Sequence, residues 1–587
     1  MKHLATLLKL RRLNWQTLRR AIRYLRRHGW VALLHRASEN HVMPARPWSD
    51  ETMYSRWVIR HEPSLRVLQR QRLSPISIDR FLLFVPLEGP ADALRATLGS
   101  VLAQTYSGWQ LCLTIHDSTT TTLLMLAEAY CQDYENVISW HLNKEKCPAA
   151  EDARWVSSVL PGDTLAPFAL YELAQSIQAD SAIDALYADE DTLGEDGKTR
   201  QHPIFKPDWS PDTLRSCNYI GHPLVVSRNL FSDVVALAAM GDAHSYELAL
   251  RTAEATGTIT HIPMVLYHRS SSFPIAETSS EVEFLADHLR RIGLVGSASH
   301  GSLQNTFAID YALNSEPLIS ILIPNRDNAA VLARCVESIL RSSYVNFEIL
   351  IIENNSVQAE TLALYERLAA NPSIRILTHT QPFNFSRINN FAVAHAQGES
   401  LVFLNNDTEA LRPDWLQRML MYAQRPDIGA VGAKLYYPDG TIQHAGIVLG
   451  IGGVAGHGHK NFVHDSDGYC GRLKIVQNVG AVTAACLMMR KDVFYQVGGF
   501  DESLAVAFND VDLCLRIRAA GYRIVWTPDA QLHHYESKTR GYEDTPQKRR
   551  RFRREINTIH RKWGNKLHDP YYSPNLTLDE EDFSLGY

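Results

Sequence analysis

The eight cysteines of this 587-residue chain never pair as C-x-x-C; Cys112, Cys131, Cys147, Cys217, Cys335, Cys470, Cys486 and Cys514 all stand singly. That spacing excludes a zinc ribbon and a disulfide framework. Cys486 and Cys514 sit in apolar runs, as reduced core thiols of a cytosolic protein do. No apolar stretch approaches the roughly 20 residues that a membrane-spanning helix needs. A strong charge imbalance is also missing: the formal net charge is −5, which argues against a dedicated nucleic-acid binder. Acids are absent from the first 36 residues, which carry ten Lys or Arg. There the arginines interrupt any signal-peptide apolar core. Trp15, Leu18, Ile22 and Leu25 follow helical spacing, and such a basic amphipathic helix suits an anionic membrane surface. The alternative is a helix packed on the protein's own acidic face.

What the chain does have is apolar content, 45% hydrophobic against 21% charged, enough for two large cores plus extensions. Residues 1–75 read as the basic helix and a mixed, Pro-containing connector. From Phe81 onward, strand-like and helix-like stretches alternate. Phe81–Pro86 and Trp109–Ile115 are strands flanking a helical Ala91–Gln104, the rhythm of a parallel sheet covered by helices. The rhythm repeats at Leu318–Pro324, Val331–Leu340 and Phe347–Ile352. Tyr106 aligns with Tyr344, Trp109 with Phe347, and Tyr246–Arg251 with Val511–Arg516. The fold class expected is therefore α/β, with one domain duplicated over 76–300 and 317–545, followed by a C-terminal helix and tail over 546–587.

Open parallel sheets bind ligands beyond the carboxyl ends of their strands. In the second half those ends are rich in acids and amides: Pro324-Asn325-Arg326-Asp327, Glu353-Asn354-Asn355, Asn405-Asn406-Asp407, Asn509-Asp510-Val511-Asp512 and His533-His534. The strings I-I-E-N-N-S, F-L-N-N-D-T, Y-P-D-G-T-I-Q-H-A-G, A-F-N-D-V-D-L-C-L-R and H-Y-E-S-K-T-R-G occur in the order found in glycosyltransferase family 2. The second half resembles that family over about 225 residues, most closely its bacterial rhamnosyltransferase-like members that build O-antigen and other surface polysaccharides.

The resemblance implies two tandem GT-A (Rossmann-like) domains. It implies an inverting transferase that moves a sugar from a nucleotide-diphospho-sugar to a glycan acceptor, often lipid-linked. A nucleotide base needs a buried acceptor, and Glu353 supplies a carboxylate where the family usually has Asp. Pro324, Asn325, Asp327, Asn354, Asn390 and Asn406 are the other donor-binding candidates. The family's D-x-D resembles Asn405-Asn406-Asp407, which leaves Asp407 as the anionic ligand of a divalent cation, Mn²⁺ or Mg²⁺. His534 is the second ligand implied, with His533 as the alternative. Asp510 lies where the family has its catalytic base, although Asn509 replaces the usual Glu; Asp512 reads as a supporting or helix-capping acid. Gly450, Gly452, Gly453, Gly456 and Gly458 suggest a mobile loop over the donor.

The first half resembles the same family over about 190 residues and keeps L-Y-A-D-E-D and F-K-P-D-W-S-P-D. Its site positions are spoiled: Ile115 stands opposite Glu353, Pro161-Gly162-Asp163 opposite Asn405-Asn406-Asp407, and Ser245 opposite Asp510. Asp189, Glu190 and Asp191 leave open a residual metal site. A nucleotidyltransferase is disfavoured because 324–330 contains no glycine for a phosphate loop. A non-catalytic binding scaffold is the remaining class.

Overall fold

The computed structural model describes residues 51–74, 76, 78, 80–115, 119–134, 138–141, 153–230, 244–271, 280–535 and 545–586. The basic segment 1–36 lies outside them, as do positions 536–541 of the last family string.

Two sheets carry the fold. In spatial order the first runs Ile138–His141, Trp109–Thr114, Arg80–Pro86, Ala153–Ser158, Leu224–Ser227, Ala185–Leu193, Ile259–Ser270, Thr164–Leu165. The second runs Ile374–Thr378, Phe347–Glu353, Ile319–Asn325, Ser400–Leu404, Cys486–Arg490, Ile428–Tyr436, Arg523–His534, Thr408–Ala410. The chain visits these places in the same order, and the sense of pairing agrees at every junction, parallel in the first three and antiparallel where Leu224–Ser227 or Cys486–Arg490 takes part. Register agrees as well. Phe81 faces Trp109 and Ile319 faces Phe347; Tyr106 donates to the Ile78 carbonyl, and Tyr344 to that of Pro317. The architecture is two tandem α/β domains.

Local sequence explains the central elements. Ile319–Asn325 is buried at every position but Pro324, so it reads as one apolar run, as strands covered on both faces do. The helix Ala329–Leu340 buries Leu332, Cys335, Val336 and Ile339 at 3-1-3 spacing, one stripe against the sheet. Strand edges fall within a residue or two of the sequence expectation. Larger differences occur in two places. Segment 51–71, expected as connector, forms the helices Glu51–His61 and Leu65–Gln71, with Pro63 between them. Tyr54 and Trp57 anchor the first in a core shared with Phe205, Tyr469, Tyr572, Phe583 and Leu585; those partners are remote in sequence. The glycine-rich stretch is a hairpin, Ile447–Leu449 against Ala455–His457. Gly450, Gly452 and Gly453 have positive φ at its bend, and residues of the C-terminal tail bond to it, Gly452 N to Leu578 O and His459 N to Glu581 O.

The halves meet around Asp212, 1% exposed. Arg425 Nη1 donates to it at 2.5 Å, Arg215 at 3.2 Å, and Asn478 Nδ2 at 2.8 Å. Against the desolvation that burial imposes, the Arg425, Arg215 and Arg523 guanidiniums hold this carboxyl well below the usual carboxylate range. Such stabilisation is full above about pH 4 and is lost as pH falls toward the depressed value. Asp212→Ala leaves Arg425 buried over the Tyr311 ring with Asp427 as its remaining carboxylate. The expected cost is about 3 kcal/mol, read as a lower urea midpoint at pH 7; an unchanged midpoint would show the junction to be indifferent to the pair.

Candidate active site

The polar strand ends of the second domain form one connected surface. Asn325, at the end of its strand and 3% exposed, donates from Nδ2 to Tyr365 Oη at 2.6 Å and accepts from Asn406 Nδ2 at 2.6 Å. Asn405 Nδ2 lies 3.1 Å from His534 Nε2, and the Asn405 amide donates to the Ala485 carbonyl. One residue away, the Ala484 amide donates to Asp510 Oδ2 at 3.2 Å. Segment 484–485 therefore ties the Asn405-Asn406-Asp407 loop to Asp510 through neighbouring peptides, about 3.8 Å apart along the chain.

Asp407 Oδ1 and His534 Nε2 are 3.1 Å apart, both side chains nearly buried. They meet because Thr408 pairs with His534 across the sheet. His533, next along the same strand, points to the other face, beside Tyr436 and Tyr535, so His534 is the imidazole that reaches Asp407. On its far side, His534 Nδ1 is 2.7 Å from Gln443 Oε1. An amide oxygen only accepts, so Nδ1 carries a proton, and in the neutral ring the Nε2 lone pair faces both the Asn405 amide and the Asp407 carboxylate, each at 3.1 Å. Two acceptors facing each other at this distance suit a shared cation. Ligands at about 2.1 Å in adjacent octahedral positions lie about 3.0 Å apart. Among the described residues no group of three or more His, Cys, Asp or Glu side chains could hold a metal alone; phosphate oxygens and water would complete the shell, the usual arrangement for phosphate-bound cations.

Asp510 sits in the first turn of the helix Asn509–Ala519; the acidic string opens the helix instead of following one. Burial pushes its carboxyl above the usual range, opposed by the Ala484 and Val511 amides. Asp512 is turned away and fully buried, accepting from Trp563 Nε1 and pairing with Arg516 and Lys562.

Other candidates are engaged with backbone. Asp327, at φ +54, accepts from the Val357 and Gln358 amides. Glu353 accepts from the Ser356 amide. Asn354, 2% exposed, donates to the His379 and Gln381 carbonyls. Asn390 both donates to and accepts from Phe500. Asp327, Asn354 and Asn390 thus hold their own loops in place, and Pro324 lies in its strand opposite Ile352. Gln443 and Tyr365 were not singled out from sequence. Gln443 lay within the Y-P-D-G-T-I-Q-H-A-G string, but only the fold brings it to His534. Beyond it, buried His444 Nδ1 contacts His457 Nδ1 at 2.9 Å; desolvation pushes both imidazoles down, His457 to about 3, so they are neutral packing groups at pH 7.

The same places in the first domain are wired differently. Thr164 pairs with His268 as Thr408 does with His534, so Asp163 and His268 occupy the positions of Asp407 and His534. Asp163 instead accepts from Tyr267 Oη and the Ser270 amide, and His268 turns to Asp191 at 2.6 Å. Asp189 is held by His261, Asn575 and the Lys206 amide; Glu190 by Lys206; Asp191 also by Tyr54 and Arg200. All three acids of L-Y-A-D-E-D are spent on internal partners.

Residues 320–498, within the second domain, match the family described as Glycosyl transferase family 2. The fold class is that of tandem GT-A domains. The chain is 42% identical over 530 residues to the uncharacterized protein y4gI of Sinorhizobium fredii, covering 86% of this chain and 58% of that one. It is 36% identical over 558 residues to the O-antigen biosynthesis protein RfbC of Myxococcus xanthus, covering 91% of this chain and 43% of that one. The chain thus spans about half the length of these curated relatives. A shorter stretch of 63 residues, 11% of this chain, is 40% identical to an N-acetylglucosaminyl-diphospho-decaprenol L-rhamnosyltransferase of Mycobacterium tuberculosis, 20% of that protein.

Proposed function

We propose that the second domain is an inverting glycosyltransferase of cell-surface polysaccharide synthesis, moving a hexosyl or rhamnosyl group from a nucleotide-diphospho-sugar to a lipid-linked glycan acceptor, a reading supported by the diphospho-decaprenol in the name of the mycobacterial relative. The observation that carries this is the juxtaposition of the Asp407–His534 pair with Asp510 through segment 484–485. Asp510 Oδ accepts the acceptor hydroxyl's proton as that oxygen attacks the anomeric carbon; its raised pKa brings proton affinity closer to that of a working base. Asn325 and Asn406 fix the donor end, and Glu353 faces the base. Mn²⁺ or Mg²⁺ held by Asp407 and His534 would neutralise charge gathering on the departing diphosphate. Gln443 keeps the His534 lone pair on that side, a positioning role.

The first domain is read as a duplicated copy that has lost catalysis and braces the second. Its rewired Asp163 and His268 support this, as does its grip on Asn478, a few residues before the Ala484–Ala485 segment. Residues 1–36 are read as a peripheral anchor to the inner face of the membrane, the chain otherwise being cytoplasmic. No helix among the described residues is long and apolar enough to cross a membrane.

Thermal protection and turnover across dTDP-, UDP- and GDP-sugars, with and without EDTA, test the reading. At least one donor should protect and be hydrolysed or transferred only with metal. Protection by none, or turnover indifferent to EDTA, would favour the scaffold or a metal-free enzyme. Ser245→Ala should leave turnover within about twofold, measured under saturating donor. Loss of activity in that variant, with Asp510→Asn active, would place the chemistry in the first domain.

A further inference from the structure

The helix Pro546–Trp563 carries eight Lys or Arg and one acid, Glu555. Its two faces differ sharply. Glu555 and Ile559 are buried; Phe552 packs at a tilt against Phe508, ring centroids 5.5 Å apart, Glu555 accepts from the Val506 amide, and Trp563 and Lys562 hold Asp512. That face is bolted to the loop and helix that carry Asp510. The opposite face exposes Arg549, Arg550, Arg553, Arg554 and Arg561. At 100° per residue they fall within an arc of about 140°. Arg551, Lys548 and Lys562, which do pair, lie outside it. No ion pair or hydrogen bond of these five guanidiniums is found among the described residues, and the one acid of the helix is turned inward.

Five guanidiniums with no partner among the described residues, all on one helix face, are an electrostatic surface suited to an anion. The dimensions choose which kind. From Arg549 to Arg561 the helix rises about 18 Å. A single diphosphate would engage two forks at most, whereas an array of lipid headgroups engages all five. Apart from Pro546 at its start the face carries no exposed apolar side chain, so contact is adsorption to headgroups without insertion, distinct from the Trp- and Leu-bearing stripe of the N-terminal segment.

We infer that the arginine face of Pro546–Trp563 docks on an anionic phospholipid surface and so fixes the orientation, on that surface, of the domain that carries the Asp510 site. The inference deepens the reading of a lipid-linked acceptor but does not need it, because docking is read without turnover.

The test is sedimentation of the full chain with vesicles of phosphatidylcholine alone or with 30% phosphatidylglycerol (about that fraction gives a strongly anionic surface). Arg549→Gln/Arg550→Gln/Arg553→Gln/Arg554→Gln keeps helix propensity. Each arginine near an anionic leaflet contributes about a fivefold factor, so the variant should lose on the order of 100-fold or more in partitioning to anionic vesicles. Wild-type binding should fall steeply with salt and be negligible on neutral vesicles. A charge-matched control, Arg95→Gln/Lys198→Gln/Arg341→Gln/Arg367→Gln, removes four exposed cations elsewhere and should change partitioning by only about fivefold. Equal losses in the two variants would show a net-charge effect and overturn the assignment, as would undiminished binding of the helix variant. Both variants are checked for unchanged melting; metal-dependent donor protection, measured without vesicles, stays as in wild type if only docking is lost, so failure of docking and failure of the transferase reading remain distinct.

Discussion

Asp510→Asn is expected to reduce transfer by 10²- to 10⁴-fold, roughly what a positioned base supplies, while leaving donor protection against heat intact. The amide keeps the side chain's size and can still accept from the Ala484 peptide, so the 484–485 segment holds its place and only proton affinity is removed. Wild-type turnover should also show an acid limb. The base must be ionised, so activity falls as pH drops through its pKa; because burial raises that value, the limb should stand above the ordinary aspartate range near 3.9. A variant keeping more than about a tenth of wild-type turnover would reject Asp510 as the base.

Asp407→Ala and His534→Ala should each weaken metal-dependent donor binding, by about 10- to 100-fold or more, with partial recovery at high Mn²⁺. Titration calorimetry of Mn²⁺ and of nucleotide-sugar separates a lost cation from a lost donor contact. Gln443→Leu, which frees the tautomer without removing a ligand, should fall between wild type and His534→Ala in Mn²⁺ affinity. Donor affinity unchanged in both alanine variants at saturating Mn²⁺ would leave the pair without a metal role.

The strands of the second domain were legible in sequence because each is a short apolar run closed by an amide or acid, Ile319–Asn325 and Phe347–Glu353 above all. The parallel pairing of these two followed from the β-α-β rhythm, whereas the antiparallel places of Cys486–Arg490 and Thr408–Ala410 did not. What sequence could not convey was who satisfies whom. Asp327, Asn354 and Asn390 have the chemistry of donor ligands, yet backbone amides and carbonyls at 353–358, 379–381 and 500 claim them. The choice between His533 and His534 needed the alternation of a strand paired at Thr408. The helix Glu51–His61 was hidden because Tyr54 and Trp57 pack on residues from Phe205 to Leu585, and no local pattern announces so distant a partner. Glycines 450–458 suggested a moving cover, whereas the hairpin they form is bonded to the tail.

That last core also sets an order on the chain's biogenesis. Tyr54 and Trp57 leave the ribosome early, but the surface that covers them is completed only by Tyr572, Phe583 and Leu585. At about 5–20 residues per second the interval is on the order of a minute. Until then the core around these two aromatic side chains, begun by Phe205 and Tyr469, stays incomplete, and a nascent chain ending short of residue 583 never closes it. A truncation before Phe583 would therefore be felt at Tyr54 and Trp57 as well, as aggregation seeded by a helix the truncation does not touch.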